Sequence, residues 1–138
     1  MTREPDFKRV EKRAAIVFWR RAVQCEAAMN EALARGHWEA AGINAVHCAI
    51  SANDAVLAAL PAIKVTSKDH QDAVRLLSSR LKSEDAQSAA KRLDIIISKK
   101  GRVEYEQKRL SEKEARSLVL DAERFLKWAG CQIPEEFK

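Results

Sequence analysis

The feature that most constrains the fold is a run of small and apolar residues between Trp38 and Leu60. On a helix, the larger apolar side chains of this run share one face, at Ile43, Val46, Ile50, Leu57 and Leu60. The adjoining face carries only small residues, at Gly42, Ala45, Ala49, Ala52 and Ala59. Because small residues let neighbouring helices approach closely, the run predicts a helix packed against two neighbours. This helix is expected to begin near His37 or Trp38 and to run to Leu60, where Pro61 stops it.

Two other long segments repeat apolar residues at the spacing of three and four that is typical of amphipathic helices. The first extends from about Asp6 to Ala34, ends before Gly36, and would bury Ala15, Phe18, Ala22, Cys25, Met29 and Ala32. The last opens with Ser111 and Glu114, which are spaced as in a capping box. It is expected to end at Gly130 and to bury Ala115, Leu118, Ala122, Phe125 and Ala129.

Two shorter helices are predicted between these long ones. Ser67 is a plausible N-cap for the first, with Asp69 in its opening turn and an apolar side of Ala73, Val74, Leu76, Leu77 and Leu81. Ser83 is a plausible N-cap for the second, which would end around Lys99 and Lys100 and bury Ala86, Ala89, Ala90, Leu93, Ile96 and Ile97.

These segments together predict an all-α fold, an up-and-down bundle of four to five helices. A length of 138 residues with four Gly and three Pro fits one domain with its own core. We expect the core to span about residues 7–129 and residues 130–138 to form a tail that is loosely packed or free. No internal repeat or linker divides the chain.

Bulk features limit the class of protein. The three cysteines, Cys25, Cys48 and Cys131, are odd in number and widely spaced, which argues against a disulfide framework and fits no zinc pattern. No signal peptide or membrane-spanning stretch is evident, so a cytoplasmic protein without a membrane partner is expected. Neither a metal nor a cofactor is predicted, and the four glycines do not form a phosphate-binding loop.

A polar stripe is the first candidate site. His47, Ser51 and Asp54 stand at positions i, i+4 and i+7, and on a helix they form one line beside the apolar face. Half-buried polar groups need partners, so the stripe would meet polar groups from other helices. The alternative is that these residues only hydrogen-bond to neighbouring helices and fix their register.

Basic residues provide the second candidate. The net charge of +5 is unevenly distributed, with one cluster at Lys8, Arg9, Lys12, Arg13, Arg20 and Arg21 and another at Lys99, Lys100, Arg102, Lys108 and Arg109. Such clusters suit phosphate groups, although a solvated charged surface is the more ordinary interpretation. The later cluster adjoins Tyr105, the only tyrosine, so a phosphate and a base would both find contacts there; the alternative is a helix end followed by an exposed loop. His70 would cap a helix, bind phosphate or be solvated.

The order of these motifs resembles a known family. The run AVHCAISANDAVLAAL, then KDHQDAVRLL, then KKGRVEYE followed by EARSLVLDAERFLKWA is similar to the small HEPN domain proteins of prokaryotes, over about residues 36–129. The matching positions are His47, Ser51, Asp54, Asp69, His70, Lys100, Glu104 and Tyr105. The resemblance implies a bundle of four or five helices, commonly a homodimer, in a family linked to nucleotide binding, RNA cleavage and toxin-antitoxin or defence systems.

The resemblance implies a function but leaves alternatives open. HEPN ribonucleases commonly carry an Arg followed four to six residues later by a His, whereas Arg102 is followed by VEYEQKRL and His70 is the last histidine. We therefore expect a domain that binds a nucleotide or RNA, or pairs with a nucleotidyltransferase protein. The ligand-binding candidates are His47, Ser51, Asp54, His70, Lys100, Arg102 and Tyr105. The alternatives are a structural module that dimerises and binds only protein, and a ribonuclease.

Overall fold

The computed structural model describes residues 4–99 and 109–138. In chain order the described elements are β1 (Phe7–Arg9), a 3-10 turn (Lys12–Ala14), α1 (Ala15–Ala34), α2 (Trp38–Ala59), β2 (Ile63–Val65), α3 (Gln71–Arg80), α4 (Glu84–Ser98), α5 (Glu112–Gln132) and a second 3-10 turn (Glu135–Phe137). These ranges hold five helices and one two-stranded sheet, which confirms the predicted all-α bundle. Among the described helices, none combines the length and the hydropathy that a bilayer-spanning segment requires.

Helix α2 is the centre of the bundle, and its bounds agree with the prediction to within one residue. Its main packing partners are α1 and α5. From Ser51 to Ala59 every residue is buried except Asp54, which is half-buried. The turn that reverses α1 onto α2 depends on Gly36, whose φ of +74° lies in the left-handed region that glycine adopts without strain.

The N-terminal segment differs from its prediction, because residues 7–9 form a strand rather than the start of a helix. Three and four residues before Ala15 stand Lys12 and Glu11, which are charged and exposed, so the apolar face of α1 does not extend further back. Strand β1 instead pairs antiparallel with β2, with Phe7 opposite Val65, Lys8 opposite Lys64 and Arg9 opposite Ile63. The segment between Pro61 and Ser67, where a short turn was expected, therefore contains strand β2.

Helix α3 begins at Gln71 and not directly after Ser67, so the predicted N-cap is wrong. The Ser67 Oγ accepts a hydrogen bond from the Asp69 N–H at 3.1 Å, and the Asp69 Oδ1 accepts one from the Gln71 N–H at 2.9 Å. These local bonds turn the chain before the helix starts. His70 consequently stands just ahead of α3 and not in its first turn, where Asp72 is the acidic residue.

The predicted starts of α4 and α5 are confirmed. The Ser83 side chain accepts a hydrogen bond from the Ala86 N–H at 3.2 Å, and Ser111 and Glu114 form the complete capping box. Every residue predicted to face inward from these two helices is buried.

The C-terminal end of α5 was predicted wrongly. The helix continues through Gly130 to Gln132, and a Cβ at Gly130 would lie 3.1 Å from the ring of Trp19. This glycine therefore admits an aromatic ring and does not end the helix. The last residues also pack more closely than a free tail, because Ile133 is only 3% exposed and Phe137 packs on the core.

The close packing around α2 predicts that a larger apolar side chain in this helix destabilises the fold. Ala49 is completely buried, so Ala49→Leu should lower the free energy of unfolding by about 1–3 kcal/mol, because the larger side chain separates packed helices. Ala27→Leu, at an exposed position of α1, is the matched control and should change it by less than about 0.5 kcal/mol. Urea unfolding of both variants measures the difference, and equal stabilities would contradict the close packing of α2.

Candidate functional site

The polar stripe of α2 runs from solvent into the bundle. His47 is exposed, Ser51 is 5% exposed, and Asp54 is half-buried. The three residues therefore share a line on the helix, as predicted, but not a common depth. The charges of Lys64 and Arg21, from two other elements, act on Asp54, and the candidate site is built around it.

The carboxyl of Asp54 lies in the field of Lys64 on β2 and Arg21 on α1. Burial raises the pKa of Asp54 from its ordinary value of 3.8 to about 6, and the charges of Lys64 and Arg21 partly oppose this rise. The order of these causes means that the loss of hydration outweighs the two cations. Asp54 consequently changes its charge close to neutral pH.

The side chains of Lys64 and Arg21 both approach the ring of Phe18 on α1. The Lys64 Nζ lies 5.5 Å from the centre of the Phe18 ring, and the Arg21 Cζ lies 5.9 Å from it. Cations at this distance are attracted by the electron-rich face of an aromatic ring. The ring therefore helps to hold both positive heads close together, and both charges act on Asp54.

The two-stranded sheet adds a third cation on the same side. Lys8 is directly opposite Lys64 in the antiparallel pair, so their side chains project from the same face of the sheet. Like charges at directly opposed positions destabilise a sheet. We call Lys8, Arg21 and Lys64, with Phe18 and Asp54 beside them, the cationic site.

Carboxylates of residues 4–99 and 109–138 do not form ion pairs with the cations of this site. The ion pairs formed between described residues involve other cations, namely Arg35, Arg75, Arg80, Arg92, Arg116 and Lys138. Within that part of the chain, Lys8, Arg21 and Lys64 have no carboxylate oxygen within 4.0 Å. The described residues of the site therefore carry three positive charges and one carboxyl group.

Backbone strain occurs next to this site. Ala62 has a φ of +60°, a left-handed conformation that costs a residue with a Cβ about 1–2 kcal/mol. Its carbonyl accepts a hydrogen bond from the Val10 N–H at 3.0 Å. The strained residue thus turns the chain from α2 into β2 and aligns Lys64 with Lys8.

The other predicted site residues divide into two groups. His70 is half-buried just before α3. Lys100, Arg102 and Tyr105 lie outside the described residues, so the predicted later basic segment stays a prediction. Of the four predicted site residues that the structure describes, we assign Asp54 to the cationic site, because the charges of Lys64 and Arg21 act on it.

The sequence reasoning missed two parts of this region. Lys64 stands alone between apolar residues and belonged to neither basic cluster; the fold brings it opposite Lys8 and, at the Phe18 ring, close to Arg21. Asn53, which is fully buried, was also missed: its Nδ2 donates to the Ala73 carbonyl at 3.5 Å, and its Oδ1 has no partner among the described residues. A polar residue inside a run of alanines was the signal for Asn53.

A pair of carboxyl groups joins α1 to α5 at a distance from the cationic site. Glu26 and Glu123 are hydrogen-bonded to each other, and the Asn30 Nδ2 donates to the Glu123 Oε1 at 2.8 Å. Burial, then this hydrogen bond and the charge of Glu123, raise the pKa of Glu26 from 4.5 to about 7. Within residues 4–99 and 109–138, no three side chains of His, Cys, Asp or Glu are arranged to hold a metal ion.

The Glu26 and Glu123 pair predicts a stability that falls as the pH rises. Because the folded protein holds the Glu26 proton more tightly than the unfolded chain, the pair stabilises the fold fully below about pH 4.5 and loses this contribution as the pH approaches about 7. Asp54 contributes a similar loss that ends near pH 6, so the change between about pH 6 and 7 belongs mainly to Glu26.

Urea unfolding at a series of pH values tests this prediction. In Glu26→Gln the fall in stability between about pH 6 and 7 should disappear, because the amide keeps a hydrogen bond and cannot ionise. Glu31→Gln, at an exposed position of the same helix, should retain the fall. A wild type and a Glu26→Gln variant with the same pH profile would contradict the shared proton.

No protein-family model matches the chain, and no curated protein matches it closely enough to be its relative. The resemblance to HEPN domains therefore stays a prediction that rests on the motifs quoted above.

Proposed function

We propose that this chain is a nucleic-acid-binding helical domain that holds the phosphates of RNA at the cationic site. The observation that carries the proposal is the direct pairing of Lys8 with Lys64 across the sheet, beside Arg21. Opposed lysines weaken a two-stranded sheet unless an anion lies between or above them. A phosphate backbone supplies that anion.

The surroundings of the lysine pair also favour a ligand with several negative charges. Four further basic residues that are near in sequence are exposed, namely Arg9, Lys12, Arg13 and Arg20. The ion pairs between described residues involve neither these four nor the cations of the cationic site. Successive phosphates on one strand suit such a distributed surface better than a single phosphate does.

The exposure of Phe18 bears on which part of the RNA is recognised. The ring is only 9% exposed, and Lys64 and Arg21 lie against it. A base therefore has no free aromatic face to stack on at this position, and the contacts are with the phosphate backbone. Such contacts give affinity with little dependence on sequence.

The proposal agrees with one branch of the HEPN resemblance, namely binding without cleavage. The Arg-to-His motif of HEPN ribonucleases is absent from the sequence, and the cationic site contains no histidine. Cleavage of RNA is therefore not part of the proposal. Dimerisation, a nucleotidyltransferase partner and a role in toxin-antitoxin or defence systems stay predictions from the resemblance.

Fluorescence anisotropy with a labelled single-stranded RNA tests the proposal. Lys64→Gln and Arg21→Gln should each weaken binding about threefold to tenfold at low salt and reduce the dependence of affinity on salt by about one phosphate contact. Lys91→Gln, at an exposed position of α4, is the control and should bind as the wild type does. A wild type that does not bind RNA at low salt would overturn the proposal and favour the structural module.

Lys8→Glu separates function from stability. The substitution replaces a pair of like charges by an opposite pair, so the free energy of unfolding should rise by about 0.2–1 kcal/mol. The same change adds a negative charge where phosphate is expected, so RNA affinity should fall. Thermal unfolding and anisotropy measured on one preparation check both signs, and a variant that is less stable, or that binds RNA as well as the wild type, would contradict this account.

A further inference from the structure

A cavity that opens between α4 and α5 is lined by none of the residues of the cationic site. Its volume is about 250 Å³, and its lining includes Asp85, Ser88, Arg92, Arg124, Phe125 and Trp128. A cavity of about 150 Å³ is already large enough for a benzene-sized ring. We propose that this cavity binds a small aromatic carboxylate, with the ring against Trp128 and the carboxylate at Arg124.

Trp128 provides the aromatic surface of the cavity. Phe125 is fully buried, and its ring centre lies 5.6 Å from that of Trp128 at an interplanar angle of 47°. Tilted aromatic pairs at this separation stabilise each other. Trp128 packs on the core but is only half-buried, so part of its side chain stays accessible. The cavity therefore offers a ligand one indole ring that is held in place by Phe125.

Arg124 provides the charge that selects an anion. It is exposed and also lines the neighbouring cavity that contains Glu26 and Glu123. Among the described residues, however, no carboxylate oxygen lies within 4.0 Å of its guanidinium nitrogen atoms. Arginine presents its N–H donors in a planar fork that matches the two oxygens of a carboxylate. An arginine without such a partner beside an aromatic ring favours an anionic aromatic ligand.

The other charges of the cavity favour a ligand with a single negative charge. Arg92 lies 3.7 Å from Asp121, so its charge is already opposed, and Asp85 adds a carboxylate to the lining. A phosphate monoester carries close to two negative charges at neutral pH, whereas a carboxylate carries one. A second negative charge would face Asp85 without a further unopposed cation, so the cavity suits a carboxylate better than a phosphate monoester.

The indole nitrogen of Trp128 supplies an independent observation. Its Nε1 is buried and has no hydrogen-bond partner among the described residues. A buried donor that is left unpaired destabilises a fold, and such donors are few in proteins. Because this N–H has no bond to lose, a turn of the indole toward the cavity costs no hydrogen bond and brings the donor to a carboxylate oxygen. Binding would then satisfy a group that the free protein leaves unpaired.

An NMR titration with benzoate tests the proposal. The chain has three tryptophans, and each indole N–H gives one signal in a ¹⁵N–¹H spectrum. Trp128→Phe assigns the signal of Trp128 by its loss. Benzoate should move this signal saturably with a Kd of about 1–10 mM, as expected for so small a ligand, while the signals of Trp19 and Trp38 move little.

Three comparison ligands separate the contribution of the ring from that of the charge. Acetate lacks the ring and benzamide lacks the charge, so each should bind at least about tenfold more weakly than benzoate. Phenyl phosphate keeps the ring and adds negative charge, so it should bind no more tightly than benzoate. These titrations use the wild type and do not depend on the folding of any variant.

Arg124→Gln should weaken benzoate binding about fivefold to tenfold, because the carboxylate loses its charged partner. Lys127→Gln, at an exposed position of the same helix outside the lining of this cavity, is the matched control and should bind as the wild type does. A Trp128 signal that does not respond to benzoate, or an Arg124→Gln variant with wild-type affinity, would overturn the proposal. So would acetate or benzamide that binds as tightly as benzoate, or phenyl phosphate that binds more tightly.

Discussion

The bundle depends on one central helix, α2, whose side chains are small enough for other elements to pack closely around it. Almost every residue of α2 from Ser51 to Ala59 is buried, and four of these nine residues are alanine. Small side chains let the axes of neighbouring helices approach, and dispersion contacts between closely packed atoms then compensate for the modest apolar area that each alanine buries. Helix α1 packs along one side of α2 and α5 along another, and β2 adjoins its C-terminal end.

The same burial makes each polar group on α2 costly. Asn53 is fully buried with an incompletely paired amide, and Asp54 is half-buried with a raised pKa. Nearby, two lysines oppose each other across a sheet, and Ala62 adopts a left-handed conformation. Sequences that fold well keep such local conflicts few, and the conflicts that remain concentrate at functional or strained sites. Their concentration around the turn from α2 into β2 is the reason for assigning function to that end of the bundle.

The candidate site was only partly predictable. The line of His47, Ser51 and Asp54 follows from helical spacing alone, but spacing does not say which member meets other charges. Arg21 belonged to a basic cluster that is also typical of a solvated surface. Lys64 had no local signal, because a strand of three residues has too short a pattern to be recognised. Its role depends on pairing with Lys8, which is 56 residues away in sequence.

The amino-acid sequence by itself determined the number and type of the described helices, the caps at Ser83 and Ser111, and the inward faces of α4 and α5. These features depend on contacts within a few residues, which periodicity and capping patterns record. Only the tertiary structure decided that residues 7–9 form a strand, that Gly130 admits the Trp19 ring, that Lys64 and Arg21 meet at Phe18, and that Lys8 stands opposite Lys64. The physical reason is that strand pairing, aromatic packing and the field at a buried carboxyl join segments that are distant in the chain, and no local pattern encodes them.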